Sequence, residues 1–248
     1  MPSLVLFSSL ILLLLLLLPS PSSSLSTPLP SPPSPRRFVI ACQSSSSLST
    51  GTFSPNNLLE GRVDVLARCI NSALFVSNGV RHNSRITLLL GEQEMAIEVD
   101  GRTLKGCNPD EKSLALKLRE TVLNDLAKAE LNITTSSAHE NVLSKSLLNG
   151  FTVRRGVSLK SLLEEAREGG GDVYWCSEGG DEVFDPPPFA ATAAAGFASF
   201  LFVGDSKGFS GAEEEVLAEA EGVKSVRFGE TSLLASSVIT LAHHYLDR

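Results

Sequence analysis

The sequence predicts an α/β fold on a parallel sheet, preceded by a disordered targeting segment. Three observations lead there. Short apolar runs alternate with helical patterns from residue 37 onward. The run at residues 199–203 (SFLFV) lacks polar alternation, as in strands covered on both faces of a parallel sheet. The first 36 residues are of a different composition from the rest.

Composition sets the outer limits. The chain has 248 residues, a net charge of −7, 42% hydrophobic and 20% charged residues, which excludes wholesale disorder, collagen and coiled coil. No dominant basic field announces a nucleic-acid binder. Cys42, Cys69, Cys107 and Cys176 form no C-x-x-C, so neither a disulfide scaffold nor a zinc site is expected, nor any other metal.

Residues 1–59 contain no Asp or Glu. Residues 4–18 are apolar apart from Ser8 and Ser9, and Pro and Ser dominate 19–35. The apolar run is shorter than the roughly twenty residues of a membrane span, so no stable span is expected in the mature chain. The first basic residue is Arg36, so the basic n-region of a signal peptide is missing. Abundant Ser without acids suits a transit peptide, which favours plastid or mitochondrion. The alternatives are the secretory route, or the cytoplasm if the start codon is misassigned. The division is a targeting presequence and linker at 1–36 and one domain at 37–248. The sequon Asn132-Ile133-Thr134 is read as a chance match.

The elements follow in order. Residues 38–42 (FVIAC) read as a buried strand, and 63–77 as a helix with apolar Val63, Leu66, Ile70, Ala73 and Leu74. Residues 85–90 form a strand; 96–99 form another, entering a tight hairpin turn at Asp100-Gly101. Asn108 caps a helix to about residue 128, with Pro109 at its first position. Residues 151–153 are a short strand, and Ser158 caps a helix ending at 169–171. Strands at 172–176 and 199–203 flank Pro186-Pro187-Pro188 and an Ala-rich stretch. Ser210 and Glu213 form a capping box for a helix through Ala220. A strand at 223–228 leads to a helix at 232–246, with Leu234, Val238, Leu241 and Tyr245 on its apolar face. Gly204-Asp205 and Gly229-Glu230 thus follow strands, where α/β sheets bind ligands and glycine admits close backbone approach. Neither G-x-G-x-x-G nor G-x-x-x-x-G-K-[ST] occurs.

Six segments, in order, resemble the archaeal tRNA (pseudouridine-54-N1)-methyltransferase family of the SPOUT superfamily. They are RRFVIACQSSSSLSTGTFS, GRVDVLARCINSALFVSNGVR, GRTLKGCNPDEKS, GFTVRRG, FVGDSKGFS and FGETSLLASSVITLAHHYLDR, together spanning the chain after the presequence. The resemblance implies a C-terminal trefoil knot, S-adenosyl-L-methionine as methyl donor, a pseudouridine-containing tRNA as substrate and a homodimer. It assigns donor binding to Cys176, Gly204, Asp205, Phe228, Gly229, Glu230, Thr231, Ser232, Leu233 and Val238. This chain departs from the family pattern at Ser206 (usually His), Glu230 (often Pro), Leu233 (Tyr), Val238 (often Cys), Lys112 (Arg) and Cys176 (Leu). Those changes bear on donor affinity and turnover more than on fold.

Methylating N1 of pseudouridine requires alignment of donor and nitrogen and removal of one proton. Asp64, Arg68 and Asn71 lie at i, i+4 and i+7 on one helical face, with Arg62 just before. The catalytic expectation is Asp64 at the base and Arg62 at a phosphate; the alternative is an Asp64–Arg68 surface pair. Arg68, Asn71, Arg81, Arg154 and Arg155 are the expected RNA contacts, Arg154-Arg155 because they precede a helix N-terminus. His243 and His244 are expected at the surface or an interface, and Cys69 in the core. The runner-up function is a knotted RNA-binding protein that has lost turnover through the substitutions at 206, 230, 233 and 238.

Overall fold

The computed structural model describes residues 36–43, 46–134, 149–182 and 198–247. Residues 1–35 of the expected targeting presequence and linker, and the stretch of prolines and alanines after residue 182, lie outside the described residues, as do the side chains of the 132–134 sequon.

Nine strands and six α-helices are described. In order they are β1 (Arg36–Ala41), α1 (Ser46–Ser49), α2 (Val63–Leu74), β2 (Phe75–Val76), β3 (Gly79–Val80), β4 (Ser84–Leu90), β5 (Met95–Asp100) and α3 (Glu111–Thr134). There follow β6 (Phe151–Arg155), α4 (Leu159–Glu168), β7 (Asp172–Glu182), β8 (Ser199–Gly204), α5 (Gly211–Glu219), β9 (Val223–Arg227) and α6 (Ala235–Leu246). Seven strands form one sheet in the order β6-β5-β4-β1-β8-β7-β9. β4, β1, β8, β7 and β9 run parallel, and β5 and β6 extend the β4 edge antiparallel.

The period of two divides the central strands between two cores. Phe38 and Ile40 of β1 point to one face, where α2, α3 and α6 deliver Leu66, Ile70, Leu118, Val122 and Ile239. Val39 points to the other, with Phe200, Phe202, and Leu162, Leu163 and Leu217 from α4 and α5. Phe38, Phe151 and Phe202 are 0% exposed, and burial of each such side chain contributes about 1.5–3 kcal/mol. Both capping boxes form. Ser158 closes with Ser161, and Ser210 with Glu213, each satisfying otherwise orphaned amides of a first turn.

Several boundaries differ from the expectation. The second helix stops at Leu74 instead of residue 77. Phe75 and Val76 are aromatic and β-branched, Ser77-Asn78 form a turn, and β2 pairs with β3 across it. Asp100-Gly101 does not make the hairpin. The hairpin is β4–β5, joined through residues 91–93, while the Asp100 carboxylate accepts Arg102 N at 2.9 Å and sends the chain toward α3. Asp110, not Asn108, heads α3: its Oδ1 accepts the Ser113 amide at 2.8 Å. β7 continues past Cys176 to Glu182 with a register shift between Cys176 and Asp181. α6 begins at Ala235, and its buried face is Ala235, Val238, Ile239, Ala242 and His243; Leu234 is 66% exposed. Arg36, assigned to the linker from sequence, opens β1 opposite Ser84 and Ser199.

His243 is therefore core and not surface. Its Nε2 donates to Ala73 O at 2.9 Å, which leaves Nδ1 to accept from Arg36 Nη1 at 2.9 Å. Burial, with Arg81 and Arg36 nearby, pushes its pKa down to about 3, so the ring is neutral. The same Arg36 pairs with Asp247 at 2.7 Å and donates to Leu246 O at 2.8 Å, tying the first strand to the end of the last helix.

Candidate active site

The carboxyl ends of β7, β8 and β9 open into one cleft of about 580 Å³, the size range of small-molecule sites. The ten residues expected to hold a donor all line it: Cys176, Gly204, Asp205, Phe228, Gly229, Glu230, Thr231, Ser232, Leu233 and Val238. They come from the bend of β7, the turn after β8, the β9–α6 connection and the first turns of α6. Ser206 lines it as well, so every departure from the family pattern except Lys112 sits at its wall.

The loop after β8 is a tight reversal. A Cβ on Gly204 would stand 2.6 Å from Gly208 Cα, so the chain can double back only with glycine there. The sequence suggests that Gly204 makes room for a ligand; in the fold its first task is this self-contact. Gly229 differs. At φ 93° it occupies left-handed space, and no atom lies within 4 Å of a built Cβ, so its constraint is conformational. Asp205 is spent on the same loop. Its Oδ2 accepts Gln43 N at 2.8 Å and its Oδ1 accepts Lys207 N at 2.8 Å. Gln43 in turn donates from Nε2 to Glu213 Oε2 at 2.5 Å, joining the end of β1 to the α5 capping box. Across the cleft, Ser232 Oγ donates to Glu178 Oε1 at 2.5 Å, linking the β7 bend to the β9–α6 connection. Burial pushes the Cys176 thiol up to about 12, so it is an inert wall.

Sequence reasoning misses Trp175, Glu178, Lys207 and Phe209, which also line the cleft. Lys207 and Phe209 lie inside the FVGDSKGFS segment, so a signal for them exists. Trp175 and Glu178 have none, because the apolar run predicts a β7 strand that ends at Cys176.

Arg62 lines the cleft and Asp64 does not. Arg62 adopts a left-handed backbone, φ 53°, just before α2. Asp64 is 6% exposed and accepts Arg62 Nε at 3.1 Å and Arg68 Nη2 at 2.9 Å. Burial raises the Asp64 pKa, but the two guanidiniums outweigh it and hold the carboxyl below its ordinary value. A carboxylate so occupied is a weak proton acceptor. It positions Arg62, and Arg68 also reaches Glu111 at 3.3 Å. Asn71 donates to Pro109 O at 2.6 Å and ties α2 to the head of α3.

The other expected phosphate contacts are engaged within the fold. Arg81 pairs with Asp247 at 2.9 Å, Arg154 with Glu98 at 2.6 Å and Glu165 at 2.9 Å, and Arg155 with Asp125 at 2.6 Å. The structure does not bring these three to the cleft. No group of three His, Cys, Asp or Glu able to hold a metal occurs among the described residues, and no helix among them is long and apolar enough to cross a membrane.

Comparison with known proteins gives a consistent answer. A tRNA (pseudouridine(54)-N(1))-methyltransferase of Haloferax volcanii is 36% identical over 190 residues, 75% of this chain and 83% of the relative. The enzyme so named from Methanococcoides burtonii is 30% identical over 218 residues, 86% of this chain and 96% of the relative. The fold resembles a crystal structure of Archaeoglobus fulgidus Nep1 bound to S-adenosylhomocysteine, at TM-score 0.51 and 13% identity, over 88% of this chain and 98% of that one. Residues 36–248 match the family described as "Putative SAM-dependent RNA methyltransferase". With the fold, the cleft and the relatives in agreement, the chain belongs to this family of SAM-dependent RNA methyltransferases.

Proposed function

We propose that the protein transfers a methyl group from S-adenosyl-L-methionine to N1 of a pseudouridine in tRNA. One observation carries the reading: ten residues from separated segments, each assigned to donor binding by family resemblance, line a single cleft. Relatives at 30% and 36% identity bear the corresponding enzyme name. The donor supplies an electrophilic methyl on a sulfonium. The chain binds it in the 176, 204–205 and 228–238 walls, where backbone groups tolerate the side-chain changes at 230, 233 and 238. Arg62, held by Asp64, orients the RNA at the rim. Glu178, Glu214 and Glu230 line the cleft and are placed to accept the N1 proton, whereas Asp205 is engaged in its own loop and Asp64 does not line the cleft.

Three further features belong to the same reading. The C-terminal part forms a trefoil knot, supported by the insertion of β8 between β1 and β7 while the chain continues through β9 to α6 packed on α2. The enzyme acts as a homodimer, as the resemblance implies. The acid-free N-terminal region directs it to plastid or mitochondrion, which sequencing of the mature N-terminus checks. The central test is calorimetric titration of S-adenosylmethionine into the full chain, followed by methyl transfer to pseudouridine-containing tRNA. One-per-chain binding with transfer is expected. Binding of tRNA without donor binding or transfer would replace it by an RNA-binding role without turnover.

A further inference from the structure

The cleft has a second wall that the donor assignment does not use. Trp175, Lys207, Phe209 and Glu214 line it, Glu214 from α5 and the two aromatics from the core that α4 and α5 cover. By strand alternation Trp175 faces the core opposite to Cys176, and both Trp175 and Phe209 pack against that second core. Their rings meet edge to face, centroids 6.3 Å apart at 88°. The Trp175 Nε1 is buried and has no acceptor among the described residues. Such an orphaned indole N–H is unusual, because buried donors are almost always paired.

We infer that this wall receives a pyrimidine-2,4-dione base of the RNA substrate. The inference rests on the methyltransferase reading above and adds the place where the nucleotide sits. Aromatic rings are the usual platforms for unstacked RNA bases, and a neighbouring lysine supplies the charge that phosphates need. Lys207 is exposed and lines the same cleft, where its charge can meet an RNA phosphate. A 2,4-dione presents carbonyl acceptors and ring N–H donors. The Trp175 and Phe209 ring surfaces that line the cleft offer the stacking platform, and the exposed Glu214 carboxylate matches a ring N–H.

Trp175 is the only tryptophan, so fluorescence excited at the red edge, where the two tyrosines do not absorb, reports on this wall. The probes are S-adenosylhomocysteine and an RNA hairpin with pseudouridine in its loop. The hairpin is expected to quench Trp175 and S-adenosylhomocysteine to leave it nearly unchanged. Trp175→Leu is expected to weaken hairpin binding about fivefold or more, the usual effect of losing one base–aromatic stack. Its calorimetric affinity for S-adenosylhomocysteine is expected to stay the same, which also reports that the domain is folded. Trp175→Phe keeps a smaller ring and is expected to fall between. Quenching by S-adenosylhomocysteine and not by RNA would overturn the inference while leaving the methyltransferase reading intact. Failure of both probes to bind, by fluorescence and by calorimetry, would overturn both.

Discussion

Replacing His243 by Gln is expected to flatten the acid side of the stability profile. His243 is 3% exposed, and its pKa in the fold is about 3, against about 6.5 in an unfolded chain. The folded value is depressed, so between these limits the unfolded chain binds the extra proton. Stability is then fully present above about pH 6.5 and falls as the pH drops toward 3. Each pH unit costs about 1.4 kcal/mol, and from pH 7 to pH 5 the loss is about 2 kcal/mol. That figure hardly depends on the folded value, because at pH 5 the buried ring is neutral either way. The physical obstacle to protonation is specific. A proton on Nδ1 would abolish its acceptor role toward Arg36 and set a third cation beside Arg36 and Arg81, only partly offset by the Asp247 carboxylate. Asp64, Asp100 and Asp247 are likewise held below the ordinary range, but their contributions are lost only below about pH 4. The assay is urea unfolding of wild type and His243→Gln at pH 7, 6 and 5. The wild type should lose about 2 kcal/mol more than the variant over that interval, or about 4–8 °C in Tm. Parallel profiles for the two proteins would refute a neutral, buried His243.

Other consequences follow from the site. Gly204→Val places a side chain 2.6 Å or less from the Gly208 backbone and should weaken S-adenosylmethionine binding at least about tenfold, read by calorimetry. Asp64→Asn should lower stability by about 1 kcal/mol, since its arginine partners are over a third exposed. It should raise the KM for tRNA through the freed Arg62 and leave the pH–rate profile in place; loss of the acid limb of that profile would make Asp64 the proton acceptor. Arg155→Gln should cost about 1 kcal/mol through Asp125 without altering tRNA affinity, and a drop of about one in the slope of log affinity against log salt would show instead that this arginine leaves Asp125 for a phosphate.

Much of this molecule is local in origin and legible as such. The strands appear as apolar runs because both faces of a parallel sheet are covered, and the Ser158 and Ser210 caps are readable because a capping box spans four consecutive residues. The ten residues that resemblance to a known family assigns to donor binding sit in short segments, and the fold gathers those segments at one cleft. Boundaries such as the end of α2 fail where helical spacing continues into Phe75 and Val76, whose partner strand lies beyond a turn. What only tertiary structure decides is the fate of the polar groups. Asp64 and Arg62 share a motif, yet folding sets Arg62 in the cleft wall and locks Asp64 between two guanidiniums. Arg154 and Arg155 read as phosphate contacts, yet β5, α3 and α4 bring carboxylates to them. His243 reads as a surface or interface residue, yet it is buried against Arg36, 207 residues away. Periodicity reports which side of an element faces inward. It carries no information on which charge will stand opposite across the core, because that distance is closed only when the whole sheet assembles.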